Sequence, residues 1–336
     1  INKMVNVAIN GFGRIGRLFL RALSESKYKK NIKVKIINDL ADLDSNVHLF
    51  KYDSIHGVYN KKIKKTRNSF NIGYGFIDTI SEKDPLKLPW GKNKIDIVIE
   101  CTGILTSKKD SLKHIKAGAK KVIISAPSDN PDITVVYGVN HDKIRNDHKI
   151  LSNASCTTNC LAPIAHILNE KIGIKYGHMT TIHSFTGDQN IVDTYHKSDM
   201  RRARSALLSL IPTKTGAAKS IGLVIPSLNK KLDGTAIRVP TANVSLIDFV
   251  FNSIKETSVN EINKICKEAA KSNLKNILSI TNEPLVSIDF NHSSFSSNFD
   301  TTQTKVIDKK LCRILSWYDN EWGFANRLVD LTKYIS

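Results

Sequence analysis

The sequence lacks any apolar run close to the ~18 residues that a membrane-spanning helix requires. Its first strand-like stretch, Val5-Asn6-Val7-Ala8-Ile9, stands almost at the start of the chain. This leaves no room for the basic segment, apolar core and cleavage site of a secretory signal. We therefore expect a cytoplasmic protein that makes no membrane contact.

Cysteine is scarce, with five residues at scattered positions: Cys101, Cys156, Cys160, Cys266 and Cys312. An odd number at irregular spacing is a poor disulfide framework. Reduced thiols, typical of the cytosol, are the expected state. Two cysteines four residues apart without further ligands also do not predict a metal site.

Acidic residues are few: 31 against 50 lysines and arginines, which gives a net charge of +19. The densest basic run, Lys61-Lys62-Ile63-Lys64-Lys65, is not interleaved with aromatic residues, and no helix-turn-helix, zinc-finger or RNA-recognition signature is present. This pattern favours a solvated lysine-rich surface over nucleic-acid binding, which remains only as an additional role. The electrostatic field of this positive net charge would still attract anionic substrates.

The chain of 336 residues is long enough for two domains. Its first half alternates short apolar strands, such as Ile95 to Ile99 and Val122 to Ile124, with helical patterns, which indicates a parallel sheet buried on both faces. The second half has longer strand-like runs, such as Ala236 to Phe251, that suit a mostly antiparallel sheet. A helix is predicted from Ser258, with Glu261 completing a capping box.

A dinucleotide site is indicated by Gly11-Phe12-Gly13-Arg14-Ile15-Gly16, which follows the first strand and opens the first helix. Glycines there permit a tight turn and let a pyrophosphate approach the helix N-terminus. Asp39 ends the second strand and is placed to accept hydrogen bonds from an adenosine ribose. Because a carboxylate repels a 2′-phosphate, NAD is favoured over NADP. A structural turn with a capping aspartate is the weaker alternative.

A candidate nucleophile, Cys156, lies between a strand at Ile150-Leu151 and a helical pattern. The unpaired N–H groups of a helix start stabilise a thiolate. His183 ends another strand-like run, so it is expected to face Cys156 and to form an imidazolium–thiolate pair. Cys160, one turn deeper, is interpreted as buried and inert, and a core role for Cys156 remains the alternative.

These motifs resemble the glyceraldehyde-3-phosphate dehydrogenase family along the whole chain. The matching stretches are the glycine motif, Ser155 to Cys160, His183 with Thr186, Pro212 to Lys219, Arg238 to Thr241, and Trp317 to Glu321. The resemblance implies a Rossmann-type NAD-binding domain (residues 1–155 with 320–336) and a mostly antiparallel α+β catalytic domain (residues 156–319). It also implies a homotetramer, in which a loop from about residue 185 to 204 lies near a neighbouring subunit's cofactor.

The resemblance further implies a reaction. Cys156 would add to the aldehyde of glyceraldehyde 3-phosphate, with His183 managing the proton, and hydride transfer to NAD would leave a thioester. Inorganic phosphate would then release 1,3-bisphosphoglycerate. The implied phosphate-binding residues are Ser155, Thr157, Thr186, Arg201, Thr215, Gly216 and Arg238. The implied cofactor-binding residues are Gly11, Gly13, Arg14, Ile15, Gly16, Asp39, Lys83, Ser125 and Asn320.

Some positions depart from the family pattern. Phe324 stands where a tyrosine is usual, and Thr194-Tyr195 stands where NAD-specific members often carry proline. The closest alternative is erythrose-4-phosphate dehydrogenase, which has the same nucleophile motif but differs in the loop from Thr213 to Lys219.

Overall fold

The computed structural model describes residues 4–196 and 199–336. The chain forms two compact units, one of residues 1–137, 141–154 and 325–336, the other of residues 138–140 and 155–324. Residues 320–324, which the sequence assigned to the cofactor domain, belong to the second unit.

Parallel strands dominate the sheet of the first unit. Its strands are β1 (Val5–Asn10), β2 (Ile32–Asn38), β3 (Tyr52–Asp53), β4 (Gly57–Val58), β5 (Lys64–Lys65), β6 (Ser69–Asn71), β7 (Phe76–Ile80), β8 (Ile97–Glu100), β9 (Lys121–Ile124), β10 (Ile133–Thr134) and β11 (Ile150–Ser152). The main sheet has the order β10-β11-β9-β8-β1-β2-β7-β6-β5, while β3 and β4 form a separate pair. Among the described strands of the main sheet, antiparallel pairing is confined to the β5–β6–β7 edge, which the sequence patterns did not predict.

Helices α1 (Arg14–Glu25), α2 (Leu43–Lys51) and α3 (Lys108–Lys116) belong to the first unit. The apolar strand residues are buried: Ala8, Ile36, Val98, Val122 and Ile150 pack in one cluster with Trp90. This confirms the predicted parallel sheet and explains the near-continuous apolar runs. Because the strands are parallel, the residues that follow β1, β2 and β8 meet at one sheet edge.

The second unit contains a mixed, mostly antiparallel sheet. Its strands are β12 (Ile174–Ser184), β13 (Ile211–Lys214), β14 (Leu232–Val239), β15 (Ser245–Ser253), β16 (Leu278–Thr281), β17 (Ser297–Ile307) and β18 (Leu311–Tyr318), in the order β13-β14-β12-β15-β18-β17-β16. The predicted run from Ala236 to Phe251 is two strands, β14 and β15, separated by residues 240–244. Among these pairs, β12–β14 and β16–β17 are parallel.

Helices α4 (Cys156–Lys171), α5 (Ala217–Val224) and α6 (Val259–Lys271) belong to the second unit, and α7 (Trp322–Tyr334) ends the chain. The predicted start of α6 is confirmed, since the Ser258 hydroxyl accepts a hydrogen bond from the Glu261 N–H at 3.2 Å. The Glu261 carboxylate accepts from the Thr257 hydroxyl instead of closing the predicted box. Across the described residues, no helix is both long and apolar enough to cross a membrane.

Candidate functional site

The turn between β1 and α1 is shaped by glycine. Gly11 has φ +90°, and a Cβ there would lie 2.7 Å from the backbone nitrogen of Thr102. A Cβ on Gly16 would lie 2.2 Å from the Gly11 carbonyl oxygen, so both positions exclude a side chain. Gly13 precedes α1 and supplies no side-chain cap, and a Cβ on it would meet open space. The helix start is therefore suited to an anion that approaches the backbone closely.

Asp39 lies beside this turn, as the sequence predicted. Its carboxylate accepts hydrogen bonds from the N–H of Phe12 at 2.6 Å and from the N–H of Ala41 at 2.8 Å. These bonds hold the carboxylate at the rim of a cavity of about 640 Å³, lined also by Gly11, Gly13 and Lys83. Its size and its few polar groups on apolar walls suit an adenosine-sized ligand.

The remaining predicted cofactor residues of the first unit lie in different surroundings. Arg14 donates to Asp53 at 2.6 and 3.2 Å. Burial opposes ionisation of Asp53, but hydrogen bonds from His56, Arg14 and Ile55 outweigh it and lower the pKa of this carboxyl to about 2. The other predicted cofactor residues of this unit, Ile15, Ser125 and Lys83, are half-exposed or exposed. Ile15 lies in the first turn of α1, Ser125 bonds the Cys101 thiol, and Lys83 lines the cavity.

Cys156 is the first residue of α4, and its neighbour forms the cap. The Ser155 hydroxyl accepts a hydrogen bond from the Thr158 N–H at 3.0 Å. The Sγ atom of Cys156 is 3.5 Å from Nε2 of His183, and the residue is only partly buried. The structure thus brings together the thiol and imidazole that the sequence selected.

The ring nitrogen of His183 that faces away from Cys156 has two close neighbours. Its Nδ1 lies 2.7 Å from the Ser184 carbonyl oxygen and 2.7 Å from the guanidinium of Arg238. This follows from the strand register, because His183 on β12 pairs directly with Arg238 on the parallel strand β14. Arg238 also donates to the Ser184 carbonyl oxygen at 3.0 Å.

The surroundings of the pair shift the pKa values of both groups. Burial and the Arg238 charge lower the pKa of His183 to about 3. Burial raises the pKa of the Cys156 thiol, while Arg238, Thr157 and the helix start oppose that rise. Both directions oppose charge separation between the thiol and the imidazole in this structure.

Two of the three other cysteines of the second unit, Cys160 and Cys266, lie in apolar or hydroxyl surroundings. Cys160 is fully buried, next to Ser297 at 3.4 Å, and burial raises the pKa of its thiol to about 12. Cys266 is fully buried in the α6 stripe, and burial raises its thiol pKa far above the ordinary value. Neither sulfur is exposed to a substrate.

Tyr318 is a member of the site that sequence reasoning did not assign. Its hydroxyl lies 2.8 Å from the Thr157 hydroxyl and 2.9 Å from the Thr181 hydroxyl. Its ring meets His183 edge-on at 5.9 Å between centroids. Thr157, predicted to bind phosphate, therefore also fixes the tyrosine. Tyr318 belongs to a motif noticed in the sequence, but nothing there indicated a partner 161 residues away.

A second helix start lies next to that of α4. Gly216 precedes α5 and is exposed, and the Thr215 hydroxyl accepts from the Ala217 N–H at 3.2 Å. The Thr158 hydroxyl donates to the Ala217 carbonyl oxygen at 3.5 Å, which joins the two first turns. Two adjacent helix starts with hydroxyl groups form a favourable environment for an anion.

Arg201, which the resemblance selects to assist Arg238, and its neighbour Arg202 lie in different surroundings. The side chain of Arg201 is exposed, and its backbone N–H bonds Asp199. Arg202 donates to the Thr213 hydroxyl at 2.9 Å and to the Asp188 carboxylate. The charge of Arg202 also contributes to lowering the pKa of Arg238, after burial.

Thr186 and Asn320 are both held by neighbouring side chains. The Thr186 N–H donates to the Gln189 side-chain oxygen at 2.9 Å. The amide oxygen of Asn320 accepts from the hydroxyls of Ser184 and Ser245, each at 2.9 Å. Its amide nitrogen is therefore the end oriented away from these two serines.

Comparison with known proteins agrees with this arrangement. Residues 5–108 match the family model described as glyceraldehyde 3-phosphate dehydrogenase, NAD binding domain, and residues 155–320 match its C-terminal domain. The chain is 54% identical to glyceraldehyde-3-phosphate dehydrogenase of Xanthobacter flavus over 326 residues, covering 97% of each protein. It is 50% identical to glyceraldehyde-3-phosphate dehydrogenase 1 of Bacillus subtilis, covering 99% of this chain and 98% of that one.

The glycine turn, the acidic strand end and the matched cofactor domain make the protein an NAD-dependent oxidoreductase. The chain belongs to the glyceraldehyde-3-phosphate dehydrogenase family.

Proposed function

We propose that the protein oxidises D-glyceraldehyde 3-phosphate to 1,3-bisphosphoglycerate with NAD and inorganic phosphate, through a thioester on Cys156. The observation that carries this proposal is the Cys156 Sγ atom at the start of α4, 3.5 Å from His183 Nε2, within a chain of this family. A covalent intermediate divides the oxidation into two easier steps, and the thioester conserves the free energy released when the aldehyde is oxidised.

The first step is addition of Cys156 to the aldehyde carbonyl carbon. The C–S bond forms as the thiol proton passes to His183 and the carbonyl electrons move to oxygen. The imidazolium then returns this proton to the oxyanion, which gives the hemithioacetal and restores neutral His183. A neutral imidazole is the form that accepts a proton, and it becomes a stronger base when the Arg238 charge that helps to lower its pKa moves away. The N–H groups at the start of α4 stabilise the developing oxyanion.

Arg238 and the Ser184 carbonyl oxygen both approach Nδ1 of His183. When Arg238 turns to a substrate phosphate, Nδ1–H donates to Ser184 and Nε2 becomes the proton acceptor facing Cys156. Substrate binding and the correct tautomer are thereby coupled through one guanidinium. His183 also removes the hemithioacetal hydroxyl proton as the carbonyl forms again.

Hydride acceptance, which turns the hemithioacetal into a thioester, is the chemistry that a bound NAD would supply. Asp39 would hold the adenosine ribose, Gly11, Gly13, Gly16 and Ile15 would admit the pyrophosphate, and Ser125 and Asn320 would orient the nicotinamide end. Arg14 is engaged with Asp53, so it contributes through the position of α1. Lys83 would lie beside the adenosine.

Two anion positions complete the site. Arg238, Thr186 and Arg202 would hold the phosphate of the substrate, Arg202 in the place first given to Arg201. Ser155, Thr157, Thr215 and Gly216 would hold the attacking phosphate between the starts of α4 and α5. Its oxygen adds to the thioester carbonyl, and Cys156 leaves as a thiolate that the helix start stabilises.

A homotetramer is supported by the segment from Ile191 to Leu210. It exposes large apolar side chains, including Tyr195 at 84%, Met200 at 90% and Leu208 at 87%. Such a patch is typical of a protein interface. Lys197 and Ser198 of this segment lie outside the described residues. We also infer that the protein acts in the cytoplasm. For the cofactor domain we propose residues 1–155 with 320–336, and for the catalytic domain residues 156–319, with Ser155 and residues 320–324 packed in the second compact unit.

The decisive experiment follows reduced-nicotinamide absorbance with glyceraldehyde 3-phosphate, NAD and phosphate. We expect turnover that requires phosphate and disappears after thiol alkylation. Parallel assays with erythrose 4-phosphate and with NADP test the alternatives. Faster oxidation of erythrose 4-phosphate would assign the chain to the other activity, and turnover that survives alkylation would remove Cys156 from the mechanism.

A further inference from the structure

Glu100 at the end of β8 is a buried carboxylate, 1% exposed, for which the chemistry above has no use. It accepts hydrogen bonds from the Asn10 side-chain nitrogen at 2.6 Å, from His114 Nε2 at 2.9 Å and from the Thr102 N–H at 2.8 Å. The Thr102 hydroxyl is a fourth donor. Among the described residues, no lysine or arginine forms an ion pair with it.

The direction of each hydrogen bond in this network is determined. The Trp90 indole N–H only donates, and it lies 3.0 Å from His114 Nδ1. Nδ1 is therefore the acceptor, and the proton of the neutral imidazole sits on Nε2, which donates to Glu100. The Thr102 hydroxyl oxygen accepts from the N–H groups of Ile104 and Leu105, so its proton also points to Glu100.

The network continues to the far side of the cavity that Asp39 borders. Because the Asn10 amide nitrogen donates to Glu100, its oxygen accepts from the Asn38 amide nitrogen at 2.7 Å. Asn38 in turn donates to the Glu82 carbonyl oxygen and accepts from the Glu82 N–H, each at 2.9 Å. One carboxylate thus ties together three walls of this cavity, which contain Asn10, Asn38 with Glu82, and Thr102 to Leu105.

We propose that Glu100 is a positioning residue for the cofactor cavity, which sets the spacing of its three walls by accepting four hydrogen bonds. This inference rests on the proposed binding of NAD in that cavity. Glutamine at this position would present its amide N–H groups either to Asn10 and His114 or to the Thr102 N–H, all of which are donors. In the first orientation Asn10 must rotate its amide, which places two donors against each other at Asn38 and displaces the Glu82 segment. In the second orientation the segment that begins at Thr102 is displaced.

The test is Glu100→Gln, with Trp90→Phe as the matched control. Trp90→Phe breaks the same network on the side away from the cavity, so it should lower the melting temperature without changing cofactor affinity. Calorimetric titration should show the Kd for NAD raised about 10-fold or more in Glu100→Gln and within about twofold of wild type in Trp90→Phe. Turnover at saturating NAD should stay within about twofold in both.

The proposal is overturned if Glu100→Gln melts as early as Trp90→Phe but binds NAD like the wild type, since Glu100 would then be purely structural. If Glu100→Gln does not fold, Glu100→Asp replaces it. That variant keeps charge and acceptors but retracts them, and an unchanged Kd for NAD would again contradict the proposal. A wild-type protein that binds no NAD would instead refute the proposed function.

Discussion

Helices α1 and α4 each begin at a segment with a proposed chemical role, and they begin in opposite ways. No side chain caps α1, which starts after Gly13. Ser155 caps α4 through its hydroxyl. The difference follows from what each start holds: α1 leaves its backbone open to a ligand, whereas α4 carries the reactive atom on its own first residue. Mobility of the first turn would displace the reactive sulfur in α4, whereas the first turn of α1 carries no reactive side chain.

The largest effect is expected at the first residue of α4. Cys156→Ser should lower kcat by at least about 10³-fold, because a serine hydroxyl is a far weaker nucleophile. Reduced-nicotinamide absorbance gives the rate. Cys266→Ala, which also removes one sulfur, should lose stability but keep kcat. More than a tenth of wild-type activity in Cys156→Ser would contradict the proposed intermediate.

Removal of the proton acceptor should have the next largest effect. His183→Gln is expected to lower kcat about 10²-fold to 10³-fold, in the range typical of acid–base catalysis. His178→Gln on the same strand is the control, since His178 is exposed. Equal rates in the two variants would exclude His183. Because the imidazole pKa is about 3, the wild-type rate should show no acid limb near pH 6.5 from this group in the free enzyme.

The open start of α1 is tested by two glycine substitutions. Gly11→Ala should destabilise the protein by about 1–3 kcal/mol, since φ is positive and its Cβ would lie 2.7 Å from Thr102 backbone. Gly13→Ala should leave the melting temperature nearly unchanged, because its Cβ meets open space. Both should weaken NAD binding in calorimetry. Equal melting temperatures for the two variants would show that the turn relaxes.

The ion pair at the first residue of α1 gives a pH prediction. Asp53 has a folded pKa of about 2 against an ordinary 3.8. A lowered folded pKa stabilises the protein above pH 4, and this contribution of about 2 kcal/mol is lost as the pH falls from about 4 to 2. Urea unfolding of wild type and Asp53→Asn should therefore converge toward pH 2. A constant difference across that range would contradict the assignment.

The smallest effect should come from the cap of α4. Ser155→Ala is expected to cost about 1 kcal/mol of unfolding free energy, typical of a lost N-cap. It should also raise the KM for phosphate, whereas Ser258→Ala, the matched cap of α6, should change stability alone. If both variants have the same KM for phosphate, the Ser155 hydroxyl takes no part in phosphate binding.

The sequence predicted both sheets, the glycine turn and the Cys156–His183 pair, because each depends on local patterns or long motifs. It missed features that depend on exact side-chain direction. Arg201 and Arg202 are adjacent in the chain, and only the folded loop shows that Arg202 bonds Thr213 while Arg201 is exposed. The burial that lowers the His183 pKa also cannot be read from periodicity, and the imidazolium–thiolate pair stays a prediction.

Parallel pairing of β12 with β14 places His183 and Arg238 on neighbouring strands, which lie about 4.8 Å apart. On the proposed roles, the spacing of the two strands sets the distance between the imidazole that acts at the aldehyde and the guanidinium that holds the phosphate. A sugar phosphate longer by one carbon must bend its carbon chain to reach the same two groups. Selection by chain length would then depend on the backbone hydrogen bonds that pair these strands as well as on the side chains of the site.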